Sequence, residues 1–324
     1  MISKMYDLIC HLYFYLKRYQ KEQFEVGKTT GKIYSLLIIY CEWILNVFVK
    51  KMYLKFPSKR RGINKDTRID KVIISLTSYP KRITTVWLTI ESLLRQSYKP
   101  DKIILWLSRD QFPKGKDSLP SQLKKQQDRG LEIKFVSGDL KSHKKYYYAL
   151  QEYSEANVIL VDDDTFYQHS LVKNLMKLHK KYPKDIVCMT AFMITNLLDV
   201  PSLWHYPMKK EKVVSSIMAQ AFTGSGTLIP PNSVDEKYCF DKKLIEDLCP
   251  YADDLWIKYM SMRKGTKVTV KYPFHSFSPV IDGTSVDSLW YINGQDKQND
   301  VQWEALNNYF ATDISYIQEV EYEI

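Results

Sequence analysis

The sequence predicts an α/β fold: a mostly parallel sheet with helices on both faces, preceded by an N-terminal helical segment that associates with a membrane. Three observations carry this. From about residue 70 onward, short apolar runs rich in β-formers alternate with segments of helical period. The first of them, Val72 to Thr77, is an apolar run of the kind buried in a parallel sheet. The positive charge, meanwhile, sits at one end. Through Lys71 there are 15 Lys and Arg against 6 Asp and Glu, a net of +9, and beyond it 32 against 31.

The basic end holds two apolar stretches, Met5 to Leu16 and Ile33 to Val49. Lys50, Lys51, Lys55, Lys59, Arg60 and Arg61 follow with no acid among them. No small-residue cleavage site is present, which argues against a signal peptide. The second stretch is 17 residues long and carries Glu42, whereas a spanning helix wants about 20 apolar residues and a central acid costs ~2.5–3.5 kcal/mol. A helix lying on or dipping into an anionic membrane surface is therefore expected. The alternative is a helical hairpin packed on the rest of the chain or on a partner subunit. Gly27-Lys28-Thr29 looks like the end of a phosphate loop, but Glu22 stands where that loop needs glycine.

The alternating region then reads in order. Val72 to Thr77 is a strand ending in the turn Ser78-Tyr79-Pro80. Ile83, Val86, Trp87, Ile90, Leu93 and Leu94 mark one face of a helix. Lys102 to Leu107 is the second strand, Leu119 to Arg129 a polar helix stopped by Gly130, and Leu131 to Val136 the third strand. His143 to Tyr153 is helical, Asn157 to Val161 the fourth strand, His169 to Tyr182 a helix and Asp185 to Thr190 the fifth strand. Lys267 to Lys271 adds a late strand and Gln302 to Phe310 a terminal helix. In such sheets ligands gather at the carboxyl ends of strands.

Composition narrows the function classes. With 45% hydrophobic and 14% aromatic residues the chain can bury a core. Its five cysteines, at 10, 41, 188, 239 and 249, form no CxxC pair, so a disulfide scaffold or structural zinc is not expected and a reducing compartment fits. The overall +10 points to a polyanionic partner. Because the charge is N-terminal and no nucleic-acid motif occurs, nucleic acid is disfavoured.

The most informative strand end is Val161-Asp162-Asp163-Asp164-Thr165. Three adjacent carboxylates after a buried strand repel one another unless a cation is near. On an extended chain Asp162 and Asp164 share one side and Asp163 the other, an arrangement suited to Mg²⁺ or Mn²⁺ with positions left for phosphate and water. Capping of the next turn is the plainer role for one of them. Two further motifs follow. Phe222-Thr223-Gly224-Ser225-Gly226-Thr227 is a glycine turn that lets backbone approach a ligand. Pro250-Tyr251-Ala252-Asp253-Asp254-Leu255-Trp256 opens a helix with an acid pair, where Asp253 is also a candidate N-cap.

A strand ending in DxD, after a βαβαβ unit opened by Ser78-Tyr79-Pro80-Lys81-Arg82 and followed by those two motifs, resembles the GT-A class of nucleotide-sugar glycosyltransferases. It is similar in particular to the family-2-like bacterial enzymes of surface-polysaccharide assembly, over residues 70 to 285. The resemblance implies a Rossmann-like GT-A domain at 69–285, between the basic segment 1–68 and a tail or lid at 286–324. It implies a nucleoside-diphosphate sugar donor received by Thr77, Ser78, Tyr79 and Arg82, with Asp139 reading the base and Lys144 and Lys145 reaching phosphate. Asp162 would contact ribose or sugar with Asp163 in support, and Gly224, Ser225 and Gly226 would lie beneath the donor. Asp164 and Asp162, with His275, would hold Mn²⁺ or Mg²⁺. Asp254 would be the base for an acceptor hydroxyl on a glycan or lipid-linked glycan, with Asp253 supporting it and inversion as the outcome. Trp204-His205-Tyr206 would serve the acceptor cleft.

Such an enzyme would be peripheral on the cytoplasmic face of the cell membrane. A nucleotidyltransferase acting on sugar phosphates is the rival enzyme, but the loop after the first strand lacks the glycines that grip a triphosphate. A non-catalytic membrane-bound glycan-binding protein is the rival of another class, and it would need none of the acid clusters.

Overall fold

The computed structural model describes residues 2–25, 30–194, 212–272, 278–284 and 297–321. Gly27-Lys28-Thr29, Trp204-His205-Tyr206 and His275 lie outside them. The chain opens with α1 (Ile2–Glu25), α2 (Thr30–Trp43), a π-helical turn Ile44–Val49 and α3 (Lys50–Lys55). The alternating region follows as β1 (Val72–Thr77), α4 (Val86–Leu94), β2 (Lys102–Ser108), α5 (Ser121–Gln127), β3 (Leu131–Val136), α6 (Lys144–Glu152), β4 (Asn157–Leu160) and α7 (Leu171–His179). Then come β5 (Ile186–Cys188), β6 (Ala191–Met193), β7 (Lys212–Ser216), β8 (Ala219–Ala221), β9 (Thr227–Ile229), α8 (Glu236–Cys239), α9 (Lys242–Leu248), α10 (Asp253–Arg263), β10 (Val268–Tyr272) and α11 (Gln298–Glu321).

Eight strands form one sheet in the order β3-β2-β1-β4-β9-β5-β10-β7, and β6 pairs with β8 apart from it. Strands β1 to β4 pair with one another in parallel, and β5 pairs in parallel with β10. The departures are β9, antiparallel between β4 and β5, and β7, antiparallel on β10. The expected α/β sheet is therefore mostly, not wholly, parallel.

Strand periodicity divides the core in two. Val72, Ile74 and Leu76 of β1 face one way, with Ile103, Leu105 and Leu107 of β2, under α4, α5 and α7. Ile73, Ile104, Trp106, Val158 and Leu160 face the other, under α6, α10 and α11.

The N-terminal helices belong to the first of these layers. Tyr6, Ile9, Cys10, Tyr13 and Leu16 recur at three- and four-residue spacing on α1, and Ile38, Cys41, Leu45, Val49 and Tyr53 continue the stripe through α2 and α3. All are buried and share one core cluster with α4, α5 and α7. The N-terminal helices leave a second apolar face outward: Leu36 is 67% exposed and Ile39 59%, joined by Leu8, Leu12, Ile33, Tyr40 and Trp43. Among the described residues one helix, Gly31–Lys55, is long and apolar enough to cross a membrane. It runs beyond the apolar stretch read from sequence. Glu42 within it accepts a hydrogen bond from the Tyr13 hydroxyl at 3.1 Å, which ties α2 to α1.

Candidate active site

Strands β1 and β4 are adjacent, yet the chain runs from β1 to β2 and β3 on one side before reaching β4 on the other. That reversal opens a crevice at their carboxyl ends. The loop after β1 and the loop after β4 meet in it. Nη1 of Arg82 lies 2.7 Å from Oδ1 of Asp163 and 2.9 Å from Oδ2 of Asp164, and the Ser78 hydroxyl donates to Asp163 Oδ2. Thr89, from α4, donates to the Asp163 carbonyl at 3.0 Å and accepts from the Thr165 N–H at 3.1 Å. Burial raises the Asp163 carboxyl against the pull of Arg82. Burial, then the charge of Asp163, pushes Asp164 up to about 7. One guanidinium does not balance both acids.

Asp162 points elsewhere, which departs from the expected shared side of Asp162 and Asp164: β4 ends at Leu160 and the chain bends at Asp163 and Asp164, so strand alternation does not extend over the three acids. Oδ1 of Asp162 is 2.7 Å from Nζ of Lys145, and the Asp162 N–H donates to the Tyr167 hydroxyl at 2.8 Å. That hydroxyl in turn donates to the Gly224 carbonyl at 2.5 Å. Gly224 packs directly on the acid: a Cβ there would lie 1.8 Å from Asp162 Oδ2. Gly226 takes φ +102°, the left-handed region that favours glycine. Thr223 to Ser225 make a single 3₁₀ turn between β8 and β9.

The acid pair of α10 closes the site. Ala252, not Asp253, is the N-cap, and both acids occupy the first helical turn, where they complement the helix dipole. The Thr223 hydroxyl donates to Asp253 Oδ2 at 2.8 Å and also to Asp254, and the Thr223 N–H donates to Asp254 Oδ1 at 2.9 Å. Lys145 lies 3.0 Å from Asp253 Oδ2. Burial alone would lower its ammonium; Asp162, Asp253 and Asp254 reverse this and hold it well above the ordinary lysine range. Burial would raise Asp253, but Lys145 holds it below the usual carboxylate range. Burial, then the charge of Asp253, pushes Asp254 up to about 7.

Thus Ser78, Arg82, Lys145, Asp162, Asp163, Asp164, Gly224, Asp253 and Asp254 are brought together. Tyr79 borders them, its ring 5.6 Å from the Arg82 guanidinium. Thr77 instead donates its hydroxyl to the Trp106 carbonyl at 2.8 Å, and Ser225 donates to the Phe222 carbonyl at 2.9 Å. Asp139 and Lys144 pair with each other beyond β3, where Gln111 also donates to Asp139 at 2.7 Å. Tyr167, Thr223 and Thr89 were not singled out from sequence. Thr223 lay within a motif that was, but its hydroxyl acquires a partner only when α10 folds back on the turn. Tyr167 and Thr89 carry no one-dimensional signal.

Asp162 and Asp164 carry the hard carboxylate oxygens that Mg²⁺ and Mn²⁺ take, with Asp162 turned to Lys145 and Asp164 to Arg82 in this structure. Among the described residues no three His, Cys, Asp or Glu side chains gather to enclose an ion. Two carboxylates of this kind are donors for a cation that keeps positions for phosphate and water, and no closed protein cage is present among the described residues.

No protein-family model matches the chain, and no curated protein does. Solved structures do resemble it. S. aureus TarS 1–349 aligns at 11% identity over 62% of this chain, with a TM-score of 0.38, and this chain spans 57% of that one. The mannosyltransferase PcManGT from Pyrobaculum calidifontis, in complex with GDP-Man and Mn²⁺, aligns at 14% identity over 91% of this chain and 74% of its own, with a TM-score of 0.41. An apo UDP-glucose pyrophosphorylase aligns at 10% over 76% and 99%, with a TM-score of 0.39. At TM-scores below 0.5 these likenesses carry no functional argument. The α/β assignment stands on strand order and register.

Proposed function

We propose that the protein is a GT-A glycosyltransferase that moves a sugar from a nucleoside diphosphate to a hydroxyl of a glycan or lipid-linked acceptor at a membrane surface. The observation that carries this reading is the opposition of two acid clusters at the sheet's reversal point, Asp162 to Asp164 on one wall and Asp253 with Asp254 on the other, joined by Lys145. One wall suits a diphosphate with its cation, and the other suits an attacking alcohol.

In this reading the loop bearing Ser78, Tyr79 and Arg82 receives the nucleotide, with Asp139 and Lys144 at the end of the next strands. Asp162 and Asp164 would hold Mn²⁺ or Mg²⁺, which when bound neutralises charge on the departing diphosphate. Arg82 contributes a fixed positive charge beside the same acids. Asp254 takes the acceptor's hydroxyl proton as that oxygen bonds to the anomeric carbon and the bond to the diphosphate oxygen breaks. A carboxyl raised to about 7 suits this role, since a base works best near the operating pH. Thr223 orients it by donating twice to one carboxylate oxygen. Direct displacement of this kind inverts the anomeric centre.

The exposed apolar face of α1 and α2 and the basic run from Lys50 to Arg61 suit docking on an anionic, cytoplasmic membrane face, with the acceptor of a surface polysaccharide presented there. A panel of UDP-, GDP-, CDP- and dTDP-sugars with and without Mn²⁺, read by thermal shift and then by transfer, tests the reading. One donor should stabilise the protein in a metal-dependent way. Stabilisation by none, or release of pyrophosphate from a nucleoside triphosphate and a sugar phosphate, overturns it.

A further inference from the structure

The segment from Pro279 to Thr284 straps the acid loop in place. Phe166 donates its N–H to the Pro279 carbonyl at 2.9 Å, Ile281 donates to the Asp164 carbonyl at 2.7 Å, and Thr165 and Val280 form an antiparallel bridge. Further on, the Thr284 carbonyl accepts from Nη2 of Arg82 at 2.7 Å, and the Thr284 hydroxyl turns back to the Ile281 carbonyl at 2.6 Å. The strap thus touches both partners of the Arg82–Asp164 pair.

Its other edge is held by one side chain of the N-terminal helices. Nδ2 of Asn46 donates to the Val280 carbonyl at 3.1 Å, and its Oδ1 accepts from the Asp282 N–H at 2.9 Å. These two groups flank Ile281, so the amide reads the strap as a neighbouring strand would and fixes its register. Nδ2 also donates to the Glu42 carbonyl at 3.1 Å. A flipped amide would set oxygen against oxygen and N–H against N–H, so the orientation is determined by its partners. Asn46 is 7% exposed and lies in the π-helical turn, a geometry that recurs at functional sites.

Resting on the donor-site reading above, we infer that Asn46 is a positioning residue of that site. Through the strap it sets the backbone at Asp164 and the reach of Arg82, which makes the outward-facing helical hairpin a working part of the donor site.

The test uses the full chain with Asn46→Leu, which keeps the branched shape at a larger volume but loses both hydrogen bonds to the strap, and Asn46→Ala. Amide hydrogen exchange needs no donor. The amides of Phe166 and Ile281 should exchange about tenfold faster or more in both variants, the size expected of lost hydrogen bonds, while β1 to β3 stay as in wild type. In transfer assays KM for the nucleotide sugar should rise about tenfold with KM for acceptor unchanged. Unchanged exchange at Phe166 and Ile281 overturns the inference, as does a rise in both KM values that simply follows Tm. If wild type uses no nucleotide sugar, the donor reading falls separately, and the exchange result alone decides whether Asn46 holds the strap.

Discussion

The ammonium of Lys145 lies 2.7 Å from Oδ1 of Asp162, and the same nitrogen is 3.0 Å from Asp253. One buried cation therefore joins the strand-end acids to the acid pair of α10. Its position is set from behind, because the Ser75 hydroxyl of β1 donates to the Lys145 carbonyl. Lys145→Met removes the shared counter-charge and leaves the carboxylates facing one another. Breaking a buried pair in this way costs ~3–5 kcal/mol. Urea denaturation of wild type and variant measures it, and equal midpoints would show that the tie carries no weight.

Gly224 and Asp162 make a second tight relationship. A Cβ at 224 would lie 1.8 Å from Oδ2 and 2.5 Å from Cγ of Asp162, so Gly224→Ala must turn the acid or shift the turn. The expected cost is ~1–3 kcal/mol of stability, together with loss of donor-induced thermal stabilisation. Gly226→Ala is the control. It is strained by φ and would meet Leu171 at 2.6 Å, so it should lower Tm while leaving the donor-induced shift in place. Equal effects of the two variants on the donor shift would refute a special role for Gly224.

Much of this was legible in the sequence, for physical reasons. β1 falls at the expected residues because a strand buried on both faces is apolar along its length, and β3, an edge strand, because Leu131, Ile133 and Phe135 alternate with Glu132 and Lys134. The candidate site residues lie where sheet topology gathers ligands, after β1 and after β4. What local pattern does not encode is order across the sheet. β9 is three residues long and antiparallel between β4 and β5, which no periodicity announces. Nor did spacing show that Lys145 sits between carboxylates. Two consecutive lysines, Lys144 and Lys145, looked alike in sequence, yet being neighbours on a helix they point apart, and one pairs with Asp139 and the other with Asp162 and Asp253.

Asp254 makes stability depend on pH in a definite direction. Its carboxyl is raised to about 7 in the fold, so its protonated form is favoured on folding. The associated stability is fully present below the ordinary carboxylate range and is lost as pH rises through about 7. Asp254→Asn, which is never charged, should therefore melt higher than wild type at about pH 8 and nearly equal to it at about pH 4. In the same variant transfer should fall by about 10²–10⁴-fold, the usual worth of a general base. Differential scanning calorimetry across pH checks the first outcome. A variant less stable than wild type at high pH would mean that Thr223 outweighs the buried charge.

The last prediction concerns the outer face of the N-terminal helices. Deleting them would confound membrane binding with folding, because Tyr6 donates its hydroxyl to the Tyr167 carbonyl at 2.7 Å and the inner stripe covers the core. Outward substitutions separate the two. Leu36 and Ile39 are mostly exposed, so Leu36→Glu with Ile39→Glu should leave Tm within about a degree or two, as surface changes do, while abolishing sedimentation with phosphatidylserine vesicles. Lys50→Ala with Lys51→Ala acts on the electrostatic part. At ~1 kcal/mol per basic residue near an anionic surface, the pair should weaken binding about 30-fold. That loss should shrink in high salt, where the attraction is screened. Apolar contact and charge then appear as separate contributions, one insensitive to salt and one not. Binding of the glutamate variant at wild-type strength would assign the exposed face to a partner other than lipid.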